Sequence, residues 1–211
     1  MRFSRAGWPK KPWTSLGAGH QEAKLITAAE DAANLASFLY RLREQEPNYY
    51  HRIVETNRLI LPFFADFELE PEYGYLLLRW RERNSDKIFD VSQAGDGMLR
   101  VMALVALLQQ PQNDLPDVLI LDEPELGLHP YAIEVVAGLI RSVSEHSQVV
   151  FATQSVSLID QFEPEDIVVV DRLERESTFR RLTAEELRAW LDQYTLSELW
   201  EKNVIGGRPS R

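Results

Sequence analysis

Residues 118–124, Val-Leu-Ile-Leu-Asp-Glu-Pro, constrain this chain more than any other segment, because four apolar β formers run without a break into two acids. An apolar run of that length reads as a strand of a sheet interior. Its neighbours repeat the theme. The pattern predicts a helix over 97–109, a strand over 118–121, a helix over 130–146, a strand over 149–152, a short helix over 156–162 and a strand over 167–170. Apolar strands without alternation, interleaved with helices, imply a mostly parallel sheet covered by helices on both faces.

Two helices and a different kind of sheet precede this region. Leu35, Leu39 and Leu42 recur at helical spacing inside 28–44, with Glu30 and Asp31 near the start, and a second helix over 48–61 stops at Pro62. Phe67 and Leu69 then alternate with acids, and Leu76, Leu78 and Trp80 alternate with Leu77, Arg79 and Arg81. With a short strand over 87–91, this period of two marks a small antiparallel β section. The chain closes with a helical stretch over 183–203, opened by the capping sequence Thr-Ala-Glu-Glu. Residues 1–27 show no period. Trp8, Trp13, Pro9 and Pro12 stand there among Arg2, Arg5, Lys10 and Lys11, so the segment reads as an irregular basic arm. It is either a poorly ordered terminus or an arm that binds nucleic acid by phosphate contact and stacking.

Composition removes several function classes. A net charge of −10 and a pI near 5.0 exclude a wholly basic DNA-coating protein. The absence of cysteine excludes disulfide frameworks, Cys-based zinc sites and thiol catalysis, and suits a reducing compartment. His20, His51, His129 and His146 lie too far apart for a local metal motif. The longest apolar stretch, Val101 to Leu108, falls far short of the roughly 20 residues that span a bilayer. Cytoplasmic residence without membrane contact is the expectation.

Carboxylates at the C-terminal end of a parallel strand face the crevice where α/β sheets bind ligands. Burying them is costly unless a cation or a reacting water uses them. Residues 118–123 therefore have the form of a Walker B element, in which Asp122 holds Mg²⁺ and Glu123 takes a proton from the water that attacks a γ-phosphate. The plain alternative is a strand followed by a polar Pro turn.

The longer string VLILDEPELGLHP, residues 118–130, resembles the C-terminal portion of the ATPase head shared by ABC, SMC and RecF-type proteins, and specifically the RecF-like group of AAA-family ATPases. The resemblance spans about 28–209. It implies a P-loop NTPase-like α/β lobe, ATP and Mg²⁺ as substrate and cofactor, and action as a dimer. It places a signature loop at 94–100, with Gly95, Asp96 and Gly97 facing ATP held by the opposite protomer. It places a D-loop at 125–130, with Glu125, Gly127 and His129 at the dimer interface, and a switch segment at 151–155, with Gln154 as a second catalytic group beside Glu123.

Gly95 and Gly97 before a helix also read directly as a helix N-terminus open to an anion, or as a plain cap and turn. Gln154 is either a group that orients water or a polar residue ending a strand. Gly95 stands where the family has a serine, and no Gly-x-x-x-x-Gly-Lys-Ser/Thr sequence occurs in the 211 residues. The P-loop is therefore expected from a partner subunit or a longer form, and the dimer is expected either with a second copy of this chain or with such a complementary subunit. The rival expectation is a non-enzymatic regulatory or dimerisation module derived from an ATPase. DNA is a further candidate partner, through the patch Arg79, Arg81 and Arg83.

Overall fold

The computed structural model describes residues 35–73, 75–173 and 176–207. The arm expected at 1–27, the start of the helix expected from 28 and the tail 208–211 lie outside the described residues.

A helical hairpin opens the described chain, α1 (Leu35–Gln45) and α2 (Pro47–Ile60). Pro47 occupies the first turn of α2, where its missing N–H costs nothing, and buried Asn57 bonds back to the Ile53 carbonyl at 2.8 Å. Next come β1 (Phe64–Glu68), β2 (Arg79–Glu82) and β3 (Ile88–Asp90), an antiparallel sheet in that order. The alternation read from the sequence holds, since Phe67, Leu69, Leu76, Leu78 and Trp80 are all buried. They join Phe38, Leu39 and Leu42 of α1 and Ile53 of α2 in the largest core cluster. The opposite face is polar. Arg79 makes two 2.7 Å bonds to Glu72, and Arg81 bonds Glu68 at 2.5 Å.

A single 3₁₀ turn, Val91–Gln93, capped by Asp90, leads into α3 (Asp96–Leu108). Then follows one βαβ unit: β4 (Val118–Asp122), α4 (Pro130–Ser144) and β5 (Gln148–Ala152). β4 and β5 are parallel, in register from Val118 opposite Gln148 to Asp122 opposite Ala152. Leu119 and Leu121 pack with Leu107 and Leu108 of α3 and Val136, Ile140 and Val143 of α4. After α5 (Val156–Ile159) the chain forms a hairpin of β6 (Val168–Leu173) and β7 (Glu176–Arg181), then α6 (Ala184–Leu191) and α7 (Leu196–Glu201). These share a separate core around Val169, Leu182, Leu187, Leu196 and Leu199. Among the described residues no helix is long and apolar enough to cross a membrane.

Four expectations need correction. The sheet is not mostly parallel: among the described residues only β4 and β5 pair in parallel, and the other two sheets are antiparallel. The strand expected at 167–170 pairs with β7, because only residues 174 and 175 separate β6 from β7. A parallel crossover needs a dozen residues or more. The parallel pair is also not covered on both faces. Val118, Ile120 and Val150 are 48%, 75% and 49% exposed, so one apolar face is open among the described residues. The helical stretch at 183–203 divides in two, because Thr195 caps a new helix start at Leu196.

Candidate functional site

Strand β4 delivers Asp122 to its C-terminal end, on the same open face as Val118 and Ile120 by the two-residue period of a strand. Glu123 carries the pairing one residue further, its N–H donating to the Ala152 carbonyl at 2.9 Å. It then leaves the extended conformation abruptly, with φ at +45°. A residue with a Cβ is disfavoured there by roughly 1–2 kcal/mol, so the turn is imposed by its surroundings. Those are visible: Leu126 N–H returns to the Glu123 carbonyl at 3.1 Å, and Leu128 N–H to the Glu125 carbonyl at 3.0 Å.

Gly127, at φ +81°, completes the loop and brings His129 to the N-cap of α4, where its Nδ1 accepts from Tyr131 N–H at 3.3 Å. The segment after β5 is the second wall. Thr153 Oγ1 accepts from Ser155 N–H at 2.9 Å, and Ser155 caps α5 by accepting from Leu158 N–H at 3.3 Å. The Thr153 hydroxyl in turn donates to Glu125 Oε1, joining the loops beyond the two parallel strands.

The loop at 94–100 is the third wall. A Cβ on Gly97 would lie 2.4 Å from the Gly127 carbonyl oxygen, so the two backbones are in contact and only glycine fits. Gly95 is different: it caps α3, is exposed, and has no atom within 4 Å of where a Cβ would stand. Gly95 thus stands at an open position, whereas Gly97 packs the start of α3 against the loop at 125–130. The structure thus brings Gly97, Gly127, Glu123, Glu125 and Thr153 together.

Asp122 and Gln154 are exposed, and among the described residues neither they nor Glu123 has a side-chain hydrogen bond or ion pair. The unpaired acids could accept a cation. No group of three or more His, Asp or Glu side chains that could hold a metal alone occurs among the described residues. Mg²⁺ commonly takes one or two protein carboxylates and completes its shell with waters and phosphate oxygens. The single exposed carboxylate of Asp122 suits that shared mode. A polar cavity of about 160 Å³ between α2, α3 and α4 contains none of these residues.

The sequence reading assigned no role to Thr153 and missed its bond to Glu125. A Thr-x-Ser step directly after a strand, able to bond its own backbone, was the available signal.

A family described as "AAA domain, putative AbiEii toxin, Type IV TA system" matches residues 6–160, well over half of the sequence. The chain belongs to this AAA domain family. The match takes in the loop at 94–100, β4 and its acids, the loop at 125–130 and the segment at 151–155. No curated protein matches the sequence.

Solved structures with a similar fold include an SMC ATPase structure and Smc head domains. One comes from work on "ATP-driven dimerization and DNA stimulated activation of SMC ATPases", at 18% identity and a TM-score of 0.54, covering 74% of this chain and 96% of that one. Another is the Smc head of Pyrococcus furiosus with an extended coiled coil, bound to the C-terminal domain of ScpA, at 16% identity and a TM-score of 0.57, covering 74% and 39%. A third, an SmcHead bound to the C-winged helix domain of ScpA, matches at 16% and 0.56, covering 72% and 49%. The AAA chain thus has the α/β fold of an SMC-like ATPase head, and it spans less than half the length of the two ScpA-bound structures.

Proposed function

We propose that this AAA chain is the Walker B half of an ATP-hydrolysing head. The carrying observation is the pair Asp122 and Glu123 at the end of a parallel strand, unpaired, with Glu123 held at φ +45° by the loops around it. Backbone strain at a candidate site is a recognised mark of a working residue.

In this reading Asp122 would hold Mg²⁺, and the chemistry that the ion would supply there is neutralisation of charge on the transferred phosphoryl group. Glu123 accepts the proton of the attacking water, and Gln154 orients that water. Asp96 and Gly95 at the start of α3 present backbone N–H groups to phosphate across a dimer interface. Gly127 and His129 line that interface beside them.

Among the described residues the open face of β4 and β5 supports an incomplete site. Ile120 and Val150 lead towards Asp122, and a parallel sheet is normally covered on both faces. The polypeptide that covers it brings the P-loop absent from these 211 residues. The test is MgATP binding. The purified chain alone binds ATP at millimolar strength or weaker, and the assembly with a P-loop binds and turns it over. Equal binding and turnover by the chain alone would overturn the reading.

The non-enzymatic module is favoured by Gly95, which stands where the family has a serine, and by the lack of a P-loop sequence in these 211 residues. Of the expected DNA patch, Arg79 and Arg81 are paired with Glu72 and Glu68, and Arg83 makes no ion pair among the described residues.

A further inference from the structure

Beyond the parallel ladder, two bonds join the loop after β4 to the last residue of β5 and the residue that follows it, among the described residues. One is the backbone bond from Glu123 to Ala152, and the other is the side-chain bond from Thr153 to Glu125. The second is unusual in its economy. Glu125 Oε1 receives the Thr153 hydroxyl, but Glu125 Oε2 is buried with no donor among the described residues. A buried carboxylate oxygen without a donor is unfavourable, and a merely structural contact would be served as well by an apolar pair.

Its position explains what it does. Glu125 lies two residues after Glu123 in the turn closed by Leu126 N–H on the Glu123 carbonyl. Thr153 directly precedes Gln154, in the turn closed by Ser155 N–H on the Thr153 hydroxyl. One hydroxyl therefore fixes both turns: it donates across the gap to Glu125 and accepts from its own loop.

We infer that Glu125 and Thr153 are a positioning pair that holds Glu123 in its left-handed conformation and sets Gln154 opposite it. This inference rests on the ATPase reading for its purpose, and on the geometry alone for its existence. It assigns Glu125 to the joint between the loops, acting through Glu123.

The test reads each loop after a change in the other, by solution NMR on the full chain without nucleotide. Thr153→Val keeps the branched shape and removes the hydroxyl, and Glu125→Met removes the acceptor. The pair predicts that Thr153→Val raises amide exchange at Glu123 and Leu126 about tenfold, the expected effect of one lost bond to a charged group. It also moves the Glu123 Cα shift away from its left-handed value. Glu125→Met does the same to Gln154 and Ser155. Thr153→Ser and Glu125→Gln, which retain donor and acceptor, restore the native pattern, and core amides such as Val105 do not change.

No change across the gap in either variant overturns the proposal, as does a rise spread evenly into the core. A variant too unstable to record leaves the reciprocal one to decide, and failure of both conservative variants to restore the pattern also overturns it. In the assembly that hydrolyses ATP, Thr153→Val lowers kcat with KM unchanged. If no assembly hydrolyses ATP, the ATPase reading fails while the exchange result stands on its own.

Discussion

Replacing Gly97 with alanine tests the joint between the start of α3 and the loop at 125–130. The added Cβ would meet the Gly127 carbonyl oxygen at 2.4 Å and its carbonyl carbon at 3.3 Å. Ordinary contact between a methyl group and an oxygen needs about 3.4 Å, so the backbones must part by about 1 Å. Neither partner is a flexible side chain, and overpacking of this kind costs about 1–3 kcal/mol. Alanine in the first turn of α3 recovers about 0.5–1 kcal/mol of helix propensity. The balance is a net loss of up to about 2.5 kcal/mol, equivalent to a Tm lower by up to about 10 °C for a chain of this size.

The control is Gly95→Ser, two residues earlier, where the site is open and the hydroxyl can cap α3. It should gain a few tenths of a kcal/mol. Urea titration of both variants, with amide exchange at Gly127 and Leu128, separates clash from propensity. A Gly97→Ala protein as stable as the parent, with unchanged exchange at Gly127, would refute the reasoning.

Other expectations concern the open face, the first sheet and its charges. Ile120→Glu should leave Tm within about 2 °C, as expected for an exposed position, yet abolish assembly with the P-loop polypeptide in size-exclusion chromatography; a stable variant that still assembles refutes the docking face. Tyr50 is pushed above the ordinary 10.0, first by burial and then by its 2.7 Å bond to Asp66. Its protonated form is favoured by the fold, so the stability it contributes is complete below pH 10 and is lost as pH rises beyond it. Urea midpoints at pH 8 and 11 should therefore differ more in the parent than in Tyr50→Phe, and equal differences would contradict this. Glu72 is held below the ordinary 4.5 by its bond to Arg79. That contribution is present above pH 4.5 and fades as pH falls below it, so Glu72→Gln should reduce the acid dependence of the midpoint. Arg81→Ala should change retention of a DNA probe less than twofold at any salt concentration, because Glu68 already neutralises this arginine; a steep change would restore the DNA patch.

Legibility in the sequence followed the range of the interaction. The alternation of Leu76, Leu78 and Trp80, the proline boundaries of α2 and α4, and the acids ending β4 are local signals, and the structure shows elements where they place them. β7 had no such signal, since all six of its residues are exposed and its pairing is set by the short link from β6. The open face was invisible for a different reason. An apolar run such as Val-Leu-Ile-Leu is the same whether its second face is covered by its own chain or by another. At the candidate site the acids were legible because they break an apolar run. The contact of Gly97 with Gly127 and the bond of Thr153 to Glu125 join residues 30 and 28 positions apart, and no local pattern encodes such approaches.

Single-turnover hydrolysis by the assembly carrying Glu123→Gln tests the central claim most directly. General-base removal should slow phosphate release by about 100-fold or more, while bound ATP persists because Asp122 and the phosphate contacts are untouched. Phosphate release at the parent rate would remove Glu123 from the chemistry and contradict the account.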